Sequence, residues 1–210
     1  MNIRFIPNKS MKQFHENENI QKLVSICIEN YHTSIFDDVI LLLSSKHYNE
    51  ILQQLEAKYY DTNEFGIFLS YKQCILNIYG DEHVKNLKGA FLEVLSFKIF
   101  YNNFNPYYYS NDCLISIDGW QSEKTVDIAM LYDSSALACE CKVPVSKFNS
   151  DIFKNLLKIK FKGNFDVYAI TLDNKMRMDK KIQKIIFNVP ECSLDDILVI
   201  TRDNFNQFNI

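Results

Sequence analysis

Between residues 19 and 60, apolar side chains recur every three or four positions, first in NIQKLVSICIENY and then in FDDVILLLSSKHYNEILQQLEAKYY. That period lines one side of successive helices, so residues 1–81 read as a helical N-terminal region packed on the core that follows. Asp37 and Asp38 stand where an N-cap is expected, ahead of the run from Val39. TNEFGIFLSYKQCILNIYG continues the period, with Gly80 as its stop. EHVKNLKGAFLEVLSFKIFY, residues 82–101, is a strong helix with Val84, Leu87, Phe91, Val94 and Leu95 on its apolar face, broken by the residues from Asn102 to Pro106.

The period then falls from about four to two. NDCLISIDGWQSEKTVDIAML reads as two strands around a turn at Asp118 and Gly119, and SALACECKV as a third, stopped by Pro144. NSDIFKNLLKIKF follows as a helix capped by Asn149 or Ser150, then FDVYAITL as a strand, MDKKIQKIIFN as a helix and DDILVITRD as a last strand. This order predicts an α/β (α+β) fold, a mixed sheet flanked by helices over residues 82–210, preceded by the helical region.

One strand carries an anomaly. In LACECKV, residues 137–143, alternation puts Glu140 and Lys142 on one face and Leu137, Cys139, Cys141 and Val143 on the other. An unpaired charge in a core strand costs several kcal/mol, roughly, so these two face something that needs them. In TVDIAML, Val126, Ile128 and Met130 share one face and leave Asp127 on the opposite one with Thr125 and Ala129. If the strands are neighbours, Asp127, Glu140 and Lys142 converge at the strand ends. Two carboxylates roughly 4–6 Å apart repel unless a cation lies between them, and oxygen-only ligation suits Mg²⁺. The chain supplies its own control in EAK, residues 56–58, where helical context sets Glu56 and Lys58 about 200° apart around the axis.

Composition narrows the reading. The formal net charge of −3 excludes a uniformly basic coat, yet residues 142–184 carry 11 Lys and Arg against 4 Asp and Glu, whereas residues 1–82 carry 7 against 11. A basic stretch in an acidic chain points to a localised anionic partner or to a solvated face. No apolar run approaches the ~20 residues of a membrane helix, and no secretory leader is evident. The six cysteines are scattered, which predicts a cytoplasmic protein with free thiols. Cys139 and Cys141, even with Cys192, lack the spacing of a structural zinc site. The four His do not cluster in sequence, and no phosphate-binding Gly loop is present.

Residues 82 to about 200 resemble the PD-(D/E)XK nuclease superfamily, the restriction-endonuclease-like proteins. The family's Asp corresponds to Asp127 and its (D/E)XK to Glu140-Cys141-Lys142, with twelve residues between Asp127 and Glu140. Glu93, in KGAFLEVLSF, matches the glutamate many members carry in the first core helix. Val126 stands where the family's Pro would precede the Asp. The resemblance implies a Mg²⁺-dependent endonuclease acting on DNA, with Mn²⁺ as substitute. Asp127, Glu140 and Glu93 would ligate the metal and Lys142 would act on water and phosphate. It further implies microbial or antiviral defence or a mobile element, a partner such as an ATPase or helicase, and a homodimer. Lys147, Lys154, Lys158 and Lys162 then read as a nucleic-acid track, the last three on one helix face. The alternatives are a catalytically idle binding module in a larger complex, or a ribonuclease.

Overall fold

The computed structural model describes residues 1–8, 12–188 and 193–207. The chain opens on a strand, β1 (Ile3–Pro7), followed by a short helix α1 (Lys12–His15) and then α2 (Glu18–Glu29), α3 (Ser34–Ser44), α4 (Tyr48–Tyr59), α5 (Phe65–Gly80) and α6 (Val84–Phe104). The second half holds β2 (Tyr108–Ile117), β3 (Trp120–Gln121), β4 (Val126–Tyr132), β5 (Ser135–Cys141), α7 (Ser150–Gly163), β6 (Phe165–Ile170), α8 (Lys175–Asn188) and β7 (Leu198–Ile200).

The expected mixed sheet flanked by helices is present. Strand order is β1-β2-β4-β5-β6-β7, with β3 paired to β2. The first four strands of that order are antiparallel, while β6 and β7 continue parallel to β5 through the α7 and α8 crossovers. Glycine and aspartate chemistry sets the β2–β3 turn: Asp118 and Gly119 both take positive φ, as the tightest hairpins require.

Two apolar layers sandwich the sheet. Helices α2–α6 share one core with Ile128, Met130, Leu137, Cys139 and Cys141. Helices α7 and α8 cover the other face over Ala129, Ala136, Ala138 and Val167. The N-terminal helices therefore pack on the sheet itself, as their apolar stripes require.

Three expectations are corrected. Residues 3–7 are not helical: β1 pairs antiparallel with β2 from Ile3↔Ile117 to Pro7↔Cys113 and extends the sheet at its edge. The run read from residue 36 to 60 divides into α3 and α4, and α3 starts after Thr33, so Asp37 lies in its first turn. Asp38 is no cap: it is buried and accepts from Lys58 Nζ at 2.7 Å and the Tyr59 hydroxyl at 2.5 Å. Finally, Val126 does not share a face with Ile128 and Met130. The β2–β4 ladder is interrupted between Asn111↔Ile128 and Cys113↔Val126, where Asp112 adopts φ 44°, and Val126 turns into the α7 layer.

Candidate active site

Asp127 lies where the β2–β4 ladder is interrupted. It is the second residue of β4, and extending the β4–β5 register one step beyond Ile128↔Cys139 sets it opposite Glu140. Glu140 lies near the end of β5, and Lys142 follows that strand directly, its N–H donating to the Ile170 carbonyl at 2.9 Å. The alternation read in LACECKV holds: Leu137, Cys139 and Cys141 are buried under the α2–α6 layer, with Ala138 on the opposite side. The cysteine thiols are free and buried, and Cys192 lies outside the described residues.

The three charged side chains meet. Lys142 Nζ sits 2.6 Å from Glu140 Oε1 and 3.2 Å from Asp127 Oδ2. The Cys141 N–H donates to the same Asp127 oxygen at 2.6 Å, which fixes that carboxylate against the end of β5. All three side chains are mostly withdrawn from solvent, Lys142 being the most open.

Electrostatics follow from that burial. Asp127 is pushed well above the usual carboxylate range, first by desolvation and then by the neighbouring Glu140 and Glu93 charges, against the pull of Lys142 and the Cys141 N–H. Glu140 is raised for the same first reason, opposed by Lys142, with Glu93 and Asp112 adding to the rise. Burial works against the Lys142 ammonium, but the two carboxylates outweigh it and hold its pKa above the ordinary lysine value.

Glu93 belongs to the neighbourhood too, from the middle of α6. Its Oε2 lies 2.6 Å from His15 Nε2, at the last residue of α1. A Cβ added at Gly89 would stand 4.0 Å from Glu93 Oε1, so this carboxylate lies over the preceding turn of α6. Sequence reasoning missed both His15 and Asp112. His15 is 78 positions from Glu93 and sits in a four-residue helix, so no periodicity points to it.

The donor set fits a hard divalent cation: carboxylate oxygens from adjacent strands, with one ammonium facing two carboxylates and a third carboxylate close by. Among the described residues, no three His, Cys, Asp or Glu side chains are already drawn together as a ligand cage.

The basic residues are dispersed. Lys147 closes a short turn after β5, and α7 then runs back along the sheet to Gly163, which precedes the β6 start paired with Ala136. Lys147 and Lys154 are thus on the site's end of the sheet, whereas Lys162 lies towards the other. Lys154, Lys158 and Lys162 are all exposed, but Lys158 is ion-paired with Glu123. A cleft of about 370 Å³ opens at that remote end, lined by Asn2, Tyr107, Ser135 and Asn164, and none of the site carboxylates reaches it.

No protein-family model and no curated protein matches this chain. Solved structures do. Protein VC1899 from Vibrio cholerae superposes with a TM-score of 0.50 at 12% identity, covering 98% of this chain and 56% of that one. Can2 from Sulfobacillus thermosulfidooxidans, solved in complex with cyclic tetra-adenylate, gives 0.42 at 13%, covering 82% of this chain and 51% of that one. The chain spans about half the length of these structures. At such identity the likeness to the Vibrio protein is one of fold.

Proposed function

We propose that this chain is a metal-dependent nuclease and that the Asp127–Glu140–Lys142 cluster is its active site. The observation that carries the reading is the convergence of two carboxylates, Asp127 and Glu140, on the Lys142 ammonium, at the ends of two paired strands and beside Glu93. A buried group of mutually repelling carboxylates is costly to fold, and such cost is characteristic of a site kept for chemistry.

In this reading Asp127 and Glu140 hold a divalent cation, Mg²⁺ or Mn²⁺, with Glu93 binding directly or through water. Such a cation, when bound, polarises the phosphoryl group and lowers the pKa of water. Lys142 stays protonated, so its role is to orient water and to offset charge growing on the phosphate. The Cys141 N–H keeps Asp127 aligned throughout. Lys147 and Lys154, nearest the site, serve the phosphate backbone. DNA is the proposed substrate.

The test is cleavage of linear, circular and single-stranded DNA and of RNA, with Mg²⁺, Mn²⁺ or EDTA, beside Asp127→Ala and Lys142→Ala. Metal-dependent cutting lost in both variants is the expected result. A second reading, an idle binding module, is favoured by one feature: Lys142 already ion-pairs both carboxylates without a metal. Calorimetry with Mn²⁺ separates the two, because heat of binding that needs Asp127 and Glu140 is expected only of the nuclease.

A further inference from the structure

Glu93 begins a stripe that the cluster does not use. At four-residue steps along α6 it is followed by Phe97 and Tyr101, each step advancing about 6 Å. Tyr109, near the start of β2, closes the group. The Phe97 and Tyr101 ring centroids are 5.7 Å apart, Phe97 and Tyr109 5.3 Å, and Tyr101 and Tyr109 5.5 Å with their planes at 89°. Phe97 is rooted in the core, while Tyr101 and Tyr109 are 36% and 48% exposed. The β1–β2 register ends at Pro7↔Cys113, and the contact β1 makes towards this end of β2 is the Phe5 ring stacked on Tyr108, whose side chain points away from that of Tyr109 by strand alternation. From Phe97 to Asn111 the chain carries a single charged residue, Lys98, which is basic and exposed.

We infer that Phe97, Tyr101 and Tyr109 form a stacking platform for the unpaired bases of a single-stranded nucleic acid, leading into the carboxylate site. The location next to that site rests on the nuclease reading; the stacking itself does not. A duplex keeps its base faces stacked internally, so exposed rings select strands whose bases are free. An anionic strand meets no carboxylate along this segment, and Lys98 adds a phosphate contact. Continuity with Glu93 on one helix stripe places the rings beside nucleotides that flank the scissile bond.

Binding of the full chain, measured by fluorescence anisotropy in EDTA so that nothing is cut, tests this. The probes are labelled oligo-dT, oligo-U, an abasic strand of equal length and a duplex. Base-bearing strands should bind at least tenfold more tightly than the abasic strand. Tyr101→Ala and Tyr109→Ala should each weaken that binding by about five- to a hundredfold. Tyr101→Phe and Tyr109→Phe should retain it, since the ring and not the hydroxyl stacks. The ratio of oligo-dT to oligo-U affinity identifies DNA or RNA as the strand recognised. Equal binding of abasic and base-bearing strands overturns the inference, as does indifference to the alanine changes. So does a change in sedimentation of the alanine variants with strand binding intact, which would make the platform a contact between copies. The two proposals fail separately. Ring-dependent strand binding without cleavage in Mg²⁺ or Mn²⁺ defeats the nuclease and leaves the platform. Cleavage of every substrate by the alanine variants at the wild-type rate does the reverse.

Discussion

Asp127 and Glu140 share one ammonium, and both acids are raised chiefly because burial disfavours their charged forms. The folded state therefore keeps protons that the unfolded chain has already released. Stability from these groups is full below the ordinary carboxylate pKa and is lost as pH rises through the folded values. Asp127→Asn removes that burden and keeps an acceptor for the Cys141 N–H. Its melting temperature should exceed the wild type at about pH 8, the difference closing towards about pH 4, while cutting is abolished. Lys142→Met has the opposite sign, because it leaves the carboxylates facing each other. We expect a loss of about 2–3 kcal/mol near neutral pH, below the figure for a fully buried pair because Lys142 is partly open. Acidification to about pH 4, where the carboxylates take up protons, should recover much of it in thermal melts.

At the scale of elements, context decided what identical residue pairs do. Glu56 and Lys58 diverge around α4, Glu56 to Lys72 at 2.7 Å and Lys58 to Asp38 at 2.7 Å, whereas Glu140 and Lys142 at strand spacing meet. The α7 boundary was equally legible: Asn149 accepts from the Ile152 N–H at 3.0 Å, as an N-cap does. Asn149→Ala should cost about 1 kcal/mol in denaturant unfolding and leave metal binding at Asp127 and Glu140 unchanged. The split between α3 and α4 was not legible, since apolar spacing runs on through it. Tyr79 accounts for part of the break: its hydroxyl reaches the Leu42 and Ser45 carbonyls at 2.7 and 2.8 Å, partners that lie far along the chain.

Across the whole molecule, the helical half does more than cover a sheet face. It extends the site, because His15 reaches Glu93 from α1 and Gln21 donates to the His15 carbonyl at 2.5 Å. If Glu93 ligates the metal as proposed, His15 orients that ligand, a role typically worth about ten- to a hundredfold in metal affinity or activity. His15→Ala should accordingly weaken Mn²⁺ binding in calorimetry by about that range without abolishing it, and His15→Gln should restore part of the loss. A purely structural contact would lower the melting temperature and leave the Mn²⁺ affinity where it was.

What was readable along the chain was whatever repeats locally. The change of period after α6, the turn at Asp118 and Gly119, the cap of α7 and the alternation in LACECKV all depend on neighbours within a few residues, and all appear in the fold. What escaped depends on partners far apart in sequence. β1 is a strand because β2 offers it an edge, Val126 leaves the Ile128 face because the ladder breaks at Asp112, and His15 matters because α1 is folded against α6. Periodicity reports which side of an element avoids water; it carries no information about which distant element will cover that side. The charges of Glu140 and Lys142 were therefore visible as a local conflict, and their resolution by Asp127 required the sheet to bring two strands into register.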